Sequence, residues 1–225
     1  VELYKYIQSP AEDQTVYPVA DAFVRNVPFE KTNFGTSQEL GVKAGSREGY
    51  QRKTYLKFPL VSQGSVTSAR LRIYGYNYQN EQQVNLAVTG IENDNWTETG
   101  IIWPNAPSDS GELLDSVFVN HQQRYHEMDV TSFVQAQLAG DKTATFVLTN
   151  PTESNIRLFL SSRENKVNPP ELIISNQGDS DVRMAAWNEP EKKRRDSSVL
   201  YPNPVRERFS VQLSERHKGN AQLLL

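Results

Sequence analysis

The chain contains no cysteine. That excludes a disulfide framework, a thiolate nucleophile and any cysteine-ligated metal. It also lacks an excess of positive charge: 24 Lys and Arg stand against 27 Asp and Glu, for a formal net charge of −3. A global electrostatic pull toward nucleic acid is therefore excluded, and any anion-binding surface has to be local. No apolar run approaches the ~18 residues of a membrane-spanning helix, so no transmembrane segment is expected. The first residues do not show the basic start and apolar stretch of a secretory leader. Gly-x-Ser-x-Gly, His-Glu-x-x-His and phosphate-loop patterns are missing. Paired carboxylates for glycoside hydrolysis leave no spacing signature, so the sequence is silent about them. Residue 1 is Val rather than Met, and the chain ends abruptly on Leu223, Leu224 and Leu225. It reads as a piece of a longer protein.

What the chain does have is short alternating segments. Residues 52–60 place Leu56, Phe58 and Leu60 on one face of a strand and Lys53, Tyr55 and Lys57 on the other. Residues 66–76 place Ala69, Leu71 and Ile73 opposite Arg70, Arg72, Tyr74 and Tyr76. Set side by side, the two strands bury their apolar faces in a core. They then present Lys57, Arg70, Arg72, Tyr74 and Tyr76 together, a surface suited to an anionic, ring-shaped ligand. The plainer alternative is a solvated sheet surface, where long cations are ordinary. Arg52 falls on the apolar side. It reads either as a structural arginine paired with Glu164 or Asp21, or as part of a concave binding face.

Further strand-like stretches cover residues 22–24, 40–44, 83–90, 117–119, 145–149, 156–161 and 171–175, with turn residues between them. That many short strands predict an all-β sandwich or barrel. Residues 129–140 differ: Val130, Phe133, Val134 and Leu138 recur at helical spacing, Asp129 or Thr131 can cap the start, and Gly140 can stop it. One short helix covering an end of the sandwich is expected. Residues 1–19 read as a linker or lead-in strand, 20–175 as the sandwich, and 176–199 as a polar linker carrying the run Lys192-Lys193-Arg194-Arg195. Residues 200–225 start a new, truncated β segment at Tyr201-Pro202-Asn203-Pro204 and the alternating Arg208 to Leu213 stretch.

The order of motifs over residues 20–175 resembles the DNRLRE domain, also classified as carbohydrate-binding module family 96. The matching pieces are Ala20-Asp21-Ala22-Phe23-Val24, Thr32-Asn33-Phe34-Gly35, Arg52-Lys53-Thr54-Tyr55-Leu56-Lys57-Phe58 and Val66-Thr67-Ser68-Ala69-Arg70-Leu71. They continue with Asn95-Trp96-Thr97-Glu98-Thr99-Gly100-Ile101-Ile102-Trp103-Pro104-Asn105-Ala106-Pro107, Asp129-Val130-Thr131, Ser161-Ser162-Arg163-Glu164 and Asn168-Pro169-Pro170-Glu171-Leu172. The resemblance implies a jelly-roll β-sandwich of the kind that accompanies polysaccharide lyases, with relatives that bind alginate-like acidic glycans. The Tyr201-Pro202-Asn203-Pro204 segment followed by Phe209-Ser210-Val211 looks like the start of a type A sorting domain of the type IX secretion system, used by Bacteroidetes. It implies a secreted or surface-attached protein and a secretion-machinery partner.

Given that likeness, Lys57, Arg70, Arg72, Arg157 and Arg163 are candidates for uronate carboxylates, since Arg offers a planar fork and Lys a point charge. Tyr74 and Tyr76 are candidate stacking platforms. Trp96 and Trp103 read as packing residues rather than sugar platforms. No cofactor is required. A structural calcium is a candidate by analogy with jelly-roll modules, with oxygen ligands from Asp21, Asn33 and Glu164. His121, Arg124, Tyr125 and His126 contain the residue types of a lyase base, but they read as a solvated loop. The expected function is a non-catalytic module that holds an attached upstream enzyme, or the cell surface, at an acidic polysaccharide. The alternatives are a structural or adhesion module without sugar affinity, and a polysaccharide lyase.

Overall fold

The computed structural model describes residues 12–45, 51–61 and 65–177, together with two short strands further on. The chain divides into two compact units, Val1–Val182 and Arg183–Leu225. In the first unit the elements run β1 (Glu12–Val16), β2 (Ala20–Arg25), β3 (Glu39–Val42), β4 (Arg52–Pro59), β5 (Ser65–Asn77), β6 (Val84–Ile91), β7 (Glu112–Val119) and β8 (Arg124–Asp129). They continue through the helix α1 (Thr131–Ala139), β9 (Thr143–Thr149), β10 (Leu158–Ser161) and β11 (Glu171–Gln177). In the second unit, β12 (Val199–Tyr201) pairs antiparallel with β13 (Ser210–Gln212).

Two antiparallel sheets make the sandwich. The first has the order β1-β11-β5-β10-β3, with β8 also paired to β5; the second has the order β2-β4-β9-β6-β7. The long β5 anchors the first sheet. Its residues Arg70, Leu71 and Arg72 pair with β11 and β8 at once, so those two strands take its opposite edges. The core lies between the sheets, where β4 contributes Leu56 and Phe58, β5 contributes Ala69, Leu71 and Ile73, and β9 contributes Phe146 and Leu148. Each such side chain stabilises by about 1.5–3 kcal/mol on full burial. The α1 helix inserts Phe133 and Val134 into the same core, with the Phe133 ring 5.6 Å from that of Phe146. The N-cap position is Val130, without a side-chain cap bond; Asp129 just before it accepts the Thr131 backbone N–H and hydroxyl with its carboxylate, which holds the Asp129 pKa below the usual range.

The strands β2, β4 and β9 of the second sheet are buried on both faces over most of their length. Along β2 every residue but the last is buried. Ala20, Ala22, Val24, Tyr55 and Val147 point outward and are covered by Trp96 and Ile101 from the segment after β6. This cover is held by side chains donating into its carbonyls. Tyr55 donates from its hydroxyl to Pro107 O at 2.7 Å, and Asn33 donates from Nδ2 to Glu98 O and Ile101 O at 2.8 and 2.7 Å. The approach is so close that a Cβ at Gly35 would sit 2.0 Å from the Glu98 carbonyl oxygen, so only glycine fits there.

Three sequence expectations change, and for residues 1–19 the lead-in strand is the alternative found. The strands over 52–60 and 66–76 are not neighbours: β4 belongs to the second sheet and β5 to the first, so their polar faces point to opposite outsides of the sandwich. The stretch containing Tyr125 and His126 is not a loop but β8, paired residue by residue with β5 from Arg70 to Gly75. Residues ahead of Ala20 contribute β1, paired with β11. At the other end, Asn176 is buried within β11, so the ladder runs past residue 175. The expected linker lies otherwise outside the described residues, as does most of the expected sorting segment. Among the described residues no helix is long and apolar enough to cross a membrane.

His126 follows from this correction. It faces the core at 5% exposure, and Nε2–H donates to Gly75 O at 3.2 Å. Burial, aided by the nearby Arg124, holds its pKa below the ordinary imidazole value. A group whose pKa is depressed in the fold binds its proton more readily when unfolded, so stability is lost as pH falls from ~6.5 through the folded value. The raised pKa of Asp21 acts in the opposite sense over the same range, so the His126 contribution is read as a difference: between pH 7.5 and pH 5 the urea midpoint should change less favourably in the wild type than in His126→Asn, and an equal slope in the variant would contradict the assignment.

Candidate functional site

The cover on the second sheet leaves the outer face of the first as the broad polar–aromatic surface of the sandwich. Alternation along β5 places Arg70, Arg72, Tyr74 and Tyr76 on that face, half-buried between the flanking strands. Directly paired residues share a face, so Tyr125 stands beside Tyr74 and Phe159 beside Tyr76. The Tyr74 and Tyr125 rings meet edge to face at 5.5 Å, and Tyr76 and Phe159 lie 5.3 Å apart. Four rings thus form a strip across β8, β5 and β10. Tyr125 is anchored through its hydroxyl, which donates to Pro169 O at 3.1 Å. Burial, with Glu171 adding to it, pushes its pKa up to about 12, so it stays a neutral phenol.

One end of the strip is electrostatically closed. Arg72 pairs with Glu171 at 2.7 Å and with Glu127 at 3.0 Å, and its guanidinium lies 4.3 Å from the Tyr125 ring centroid. Arg70 pairs with Glu127 at 3.0 Å. These two arginines sit on the expected face, but their charge is already answered by carboxylates of the same sheet.

The other end is basic. Gly41 of β3 pairs with Phe159, and a Cβ at Gly41 would lie 3.4 Å from Arg52 Cδ and 3.5 Å from Arg157 Nε. The two arginines therefore meet across a strand that has no side chain between them. Arg52 reaches this place because a two-bond bridge between Lys43 and Arg52 stitches the edge of the first sheet to β4 of the second. Arg25 is the cross-strand partner of Arg52. Arg157 pairs with Glu39 through Nη2. Its Nε, and Nε and Nη1 of Arg52, are buried without a hydrogen-bond partner. Burial first, then the charges of Arg157 and Arg25, pull the Arg52 pKa down to about 10. Lys43 is lowered by burial and then by Arg52, Arg25 and Arg157. Mutual repulsion and orphaned donors are the setting in which an arriving carboxylate is favoured. Tyr78 adds an exposed ring 5.8 Å from the Arg157 guanidinium.

Of the expected ligand residues, Arg70, Arg72, Tyr74, Tyr76 and Arg157 share this face, and two do not. Lys57 lies under the cover of the second sheet, donating from Nζ to Asp94 O at 2.8 Å and Trp96 O at 2.6 Å, with Nζ 4.7 Å from the Trp96 ring centroid. It is a clamp because β4 turns its outward side to that segment. Arg163 donates from Nη1 to Val19 O at 2.6 Å and to Glu98 Oε1 at 3.0 Å, so it belongs to a different cluster. The anticipated pairing of Arg52 with Glu164 or Asp21 is not made. Sequence reasoning set Tyr125 aside in a loop and did not single out Phe159, Lys43 or Arg25. The period-2 alternation of residues 124–129 against β5 was the signal for Tyr125; the basic corner has no local signal. Trp96 is buried in the packing role expected of it.

Asp21 and Glu164 do come together, with Glu98 rather than Asn33. The Asn33 amide is spent on the carbonyls of Glu98 and Ile101, and its oxygen accepts the Gly35 N–H at 3.1 Å. Asp21 is 1% exposed, and burial, opposed by the Arg163 N–H bond and reinforced by Glu164 and Glu98, pushes its pKa up to about 8.

A model described as carbohydrate-binding module family 96 matches residues 12–176. Among curated proteins, the chain is similar to a gellan lyase of a Bacillus species, at 25% identity over 179 residues, covering 75% of this chain and 7% of that enzyme. The chain thus spans a small part of its curated relative. Among solved structures, the adhesin domain K3 of Lys-gingipain from Porphyromonas gingivalis W83 aligns at 8% identity with a TM-score of 0.32, over 61% of this chain and 72% of that one. At that score the likeness carries no argument.

The clamp role of Lys57 has a measurable consequence. Lys57→Met leaves two carbonyls of the cover without their charged donor, and should cost about 1.5–3 kcal/mol per hydrogen bond at most. The thermal midpoint should fall, and Trp96 fluorescence should shift toward that of an exposed indole. An unchanged midpoint would show that the cover is held without it.

Proposed function

Because the chain belongs to carbohydrate-binding module family 96, we propose that the outer face of its first sheet binds an acidic polysaccharide such as alginate and does not cleave it. The observation that carries this reading is the pairing of orphaned Arg52 and Arg157 donors with an aromatic strip on the same face. Tyr74, Tyr76, Tyr125 and Phe159 offer apolar ring faces to pyranose C–H groups. Arg52 and Arg157 offer forks to a uronate carboxylate one sugar along. Arg70 and Arg72, held by Glu127 and Glu171, orient the strip and border it. The similarity to part of a gellan lyase fits a polysaccharide setting.

The same reading places the protein outside the cell, as a targeting module for an attached upstream enzyme or for the cell surface. Residues 200–225 would engage a type IX secretion machinery. Affinity would rest on modest contacts multiplied by tethering. As a module, the first unit should stand alone: cutting the chain after Val182 should leave the melting temperature unchanged, and unfolding of the shortened chain would overturn the boundary.

Affinity electrophoresis tests the ligand. The protein should be retarded in gels containing alginate and much less in gels containing a neutral glucan. Arg52→Gln and Arg157→Gln should each weaken retardation about tenfold, or ~1.4 kcal/mol, and Tyr74→Ala should weaken it similarly. Added salt should release the polymer, since partly exposed ion pairs are screened within ~10 Å at 0.1 M. Equal mobility in every gel would return the module to a structural role. Steady growth of the ultraviolet absorbance of unsaturated uronates, lost in Tyr125→Phe, would make it a lyase.

A further inference from the structure

We propose that Asp21, Glu98 and Glu164 form a binding site for a hard divalent cation of the calcium class. The three carboxylates come from β2, from the cover segment after β6 and from the turn Arg163–Asn165 after β10. Each offers an oxygen, and these oxygens all lie within 4.8 Å of one another. Oxygens on one calcium ion sit ~2.3–2.6 Å from it, so any two must fall within about 5 Å. The spacing meets that limit without rearrangement of the backbone.

Two carboxylate oxygens of this cluster are unpaired. Asp21 is 1% exposed, and its Oδ2 accepts the Arg163 backbone N–H at 2.8 Å. Its Oδ1 and Glu164 Oε2 are both buried without a hydrogen-bond partner. A buried carboxylate oxygen left in this state is costly and is ordinarily answered by a donor or a cation. The local charge has the same sense. Among the described residues, Arg163 is the cation that pairs with the cluster, 3.0 Å from Glu98 and 3.8 Å from Glu164. Once all three carboxyls are ionised, they leave an excess over one guanidinium that a divalent cation matches. The residue set is all oxygen and has no His or Cys, which suits calcium rather than zinc.

The arrangement is also well supported. Asp21 donates its backbone N–H to Glu98 Oε1 at 3.0 Å, fixing that carboxylate. Asn33 fixes the Glu98 carbonyl, so the residue expected as a ligand instead positions one. A cation here would join three segments far apart in the chain and would fasten the cover of the second sheet. It would do so without any residue of the aromatic strip, so this site is independent of the glycan reading.

The test uses the whole chain after treatment with a chelator. Calcium chloride should give a saturable heat by calorimetry and raise the melting temperature by roughly 5–10 °C at a hundredfold excess over the dissociation constant. Glu164→Gln and Glu98→Gln should fold and lose both responses, while Arg52→Gln should keep them. A shift of the same size in sodium chloride of matched ionic strength would overturn the proposal. So would an absent response in the wild-type chain, or a full response in Glu164→Gln.

Discussion

The structure depends on the burial of strands β2, β4 and β9 of its second sheet on both faces. Along β2 and β9 nearly every residue is buried, which a two-layer sandwich allows only if something covers the outside. The segment carrying Trp96 and Ile101 is that cover, and its backbone has to be satisfied where it lies on apolar surface. Tyr55, Lys57 and Asn33 supply the donors. Residues whose chemistry suggests ligand binding are thereby spent on architecture. Among the described residues, no such cover lies over the tyrosines of the first sheet.

On that face, charge is sorted by neighbours rather than by residue type. Arg70 and Arg72 look like the strongest anion ligands in the sequence, yet cross-strand carboxylates from β8 and β11 answer both. Surface pairs of this kind add little stability, but they set side-chain orientation and cancel the local field. Arg157 and Arg52 stand at the opposite end, where Glu39 is the one carboxylate that ion-pairs with either among the described residues. The aromatic strip between them gives the face a direction, from neutral to basic.

The acidic cluster at Asp21 is the counterpart of the basic corner, four residues before Arg25 on the same strand β2. It arises because the motif residues Asp21, Glu98 and Arg163-Glu164 are drawn together by β2, the cover and the turn after β10. Asn33 and Gly35 serve it at one remove, one by bonding the cover's carbonyls and the other by having no Cβ where the Glu98 carbonyl passes. Four short pieces of sequence with no evident common purpose thus meet at one place.

The all-β class, the short helix and nearly every strand were legible in the sequence, because period-2 and period-3.6 patterns are local and survive without a partner. So was the face of β5, since alternation alone fixes which of its residues point together. The sequence could not say which strands are neighbours. The chain crosses between sheets after Leu60, and that single crossing sends Lys57 under the cover while Tyr74 faces outward. Nor could it show that residues 124–129 pair with the centre of β5, because an alternation of Tyr, Glu and Asp against His and Met looks like a loop until a strand lies beside it. The basic corner was the least visible feature. Arg25, Lys43, Arg52 and Arg157 lie on separate strands or at their ends, and only the closure of one sheet edge onto the other brings them together. Pattern within a strand is fixed by the residues themselves; proximity between strands is fixed by how the whole chain buries its apolar faces.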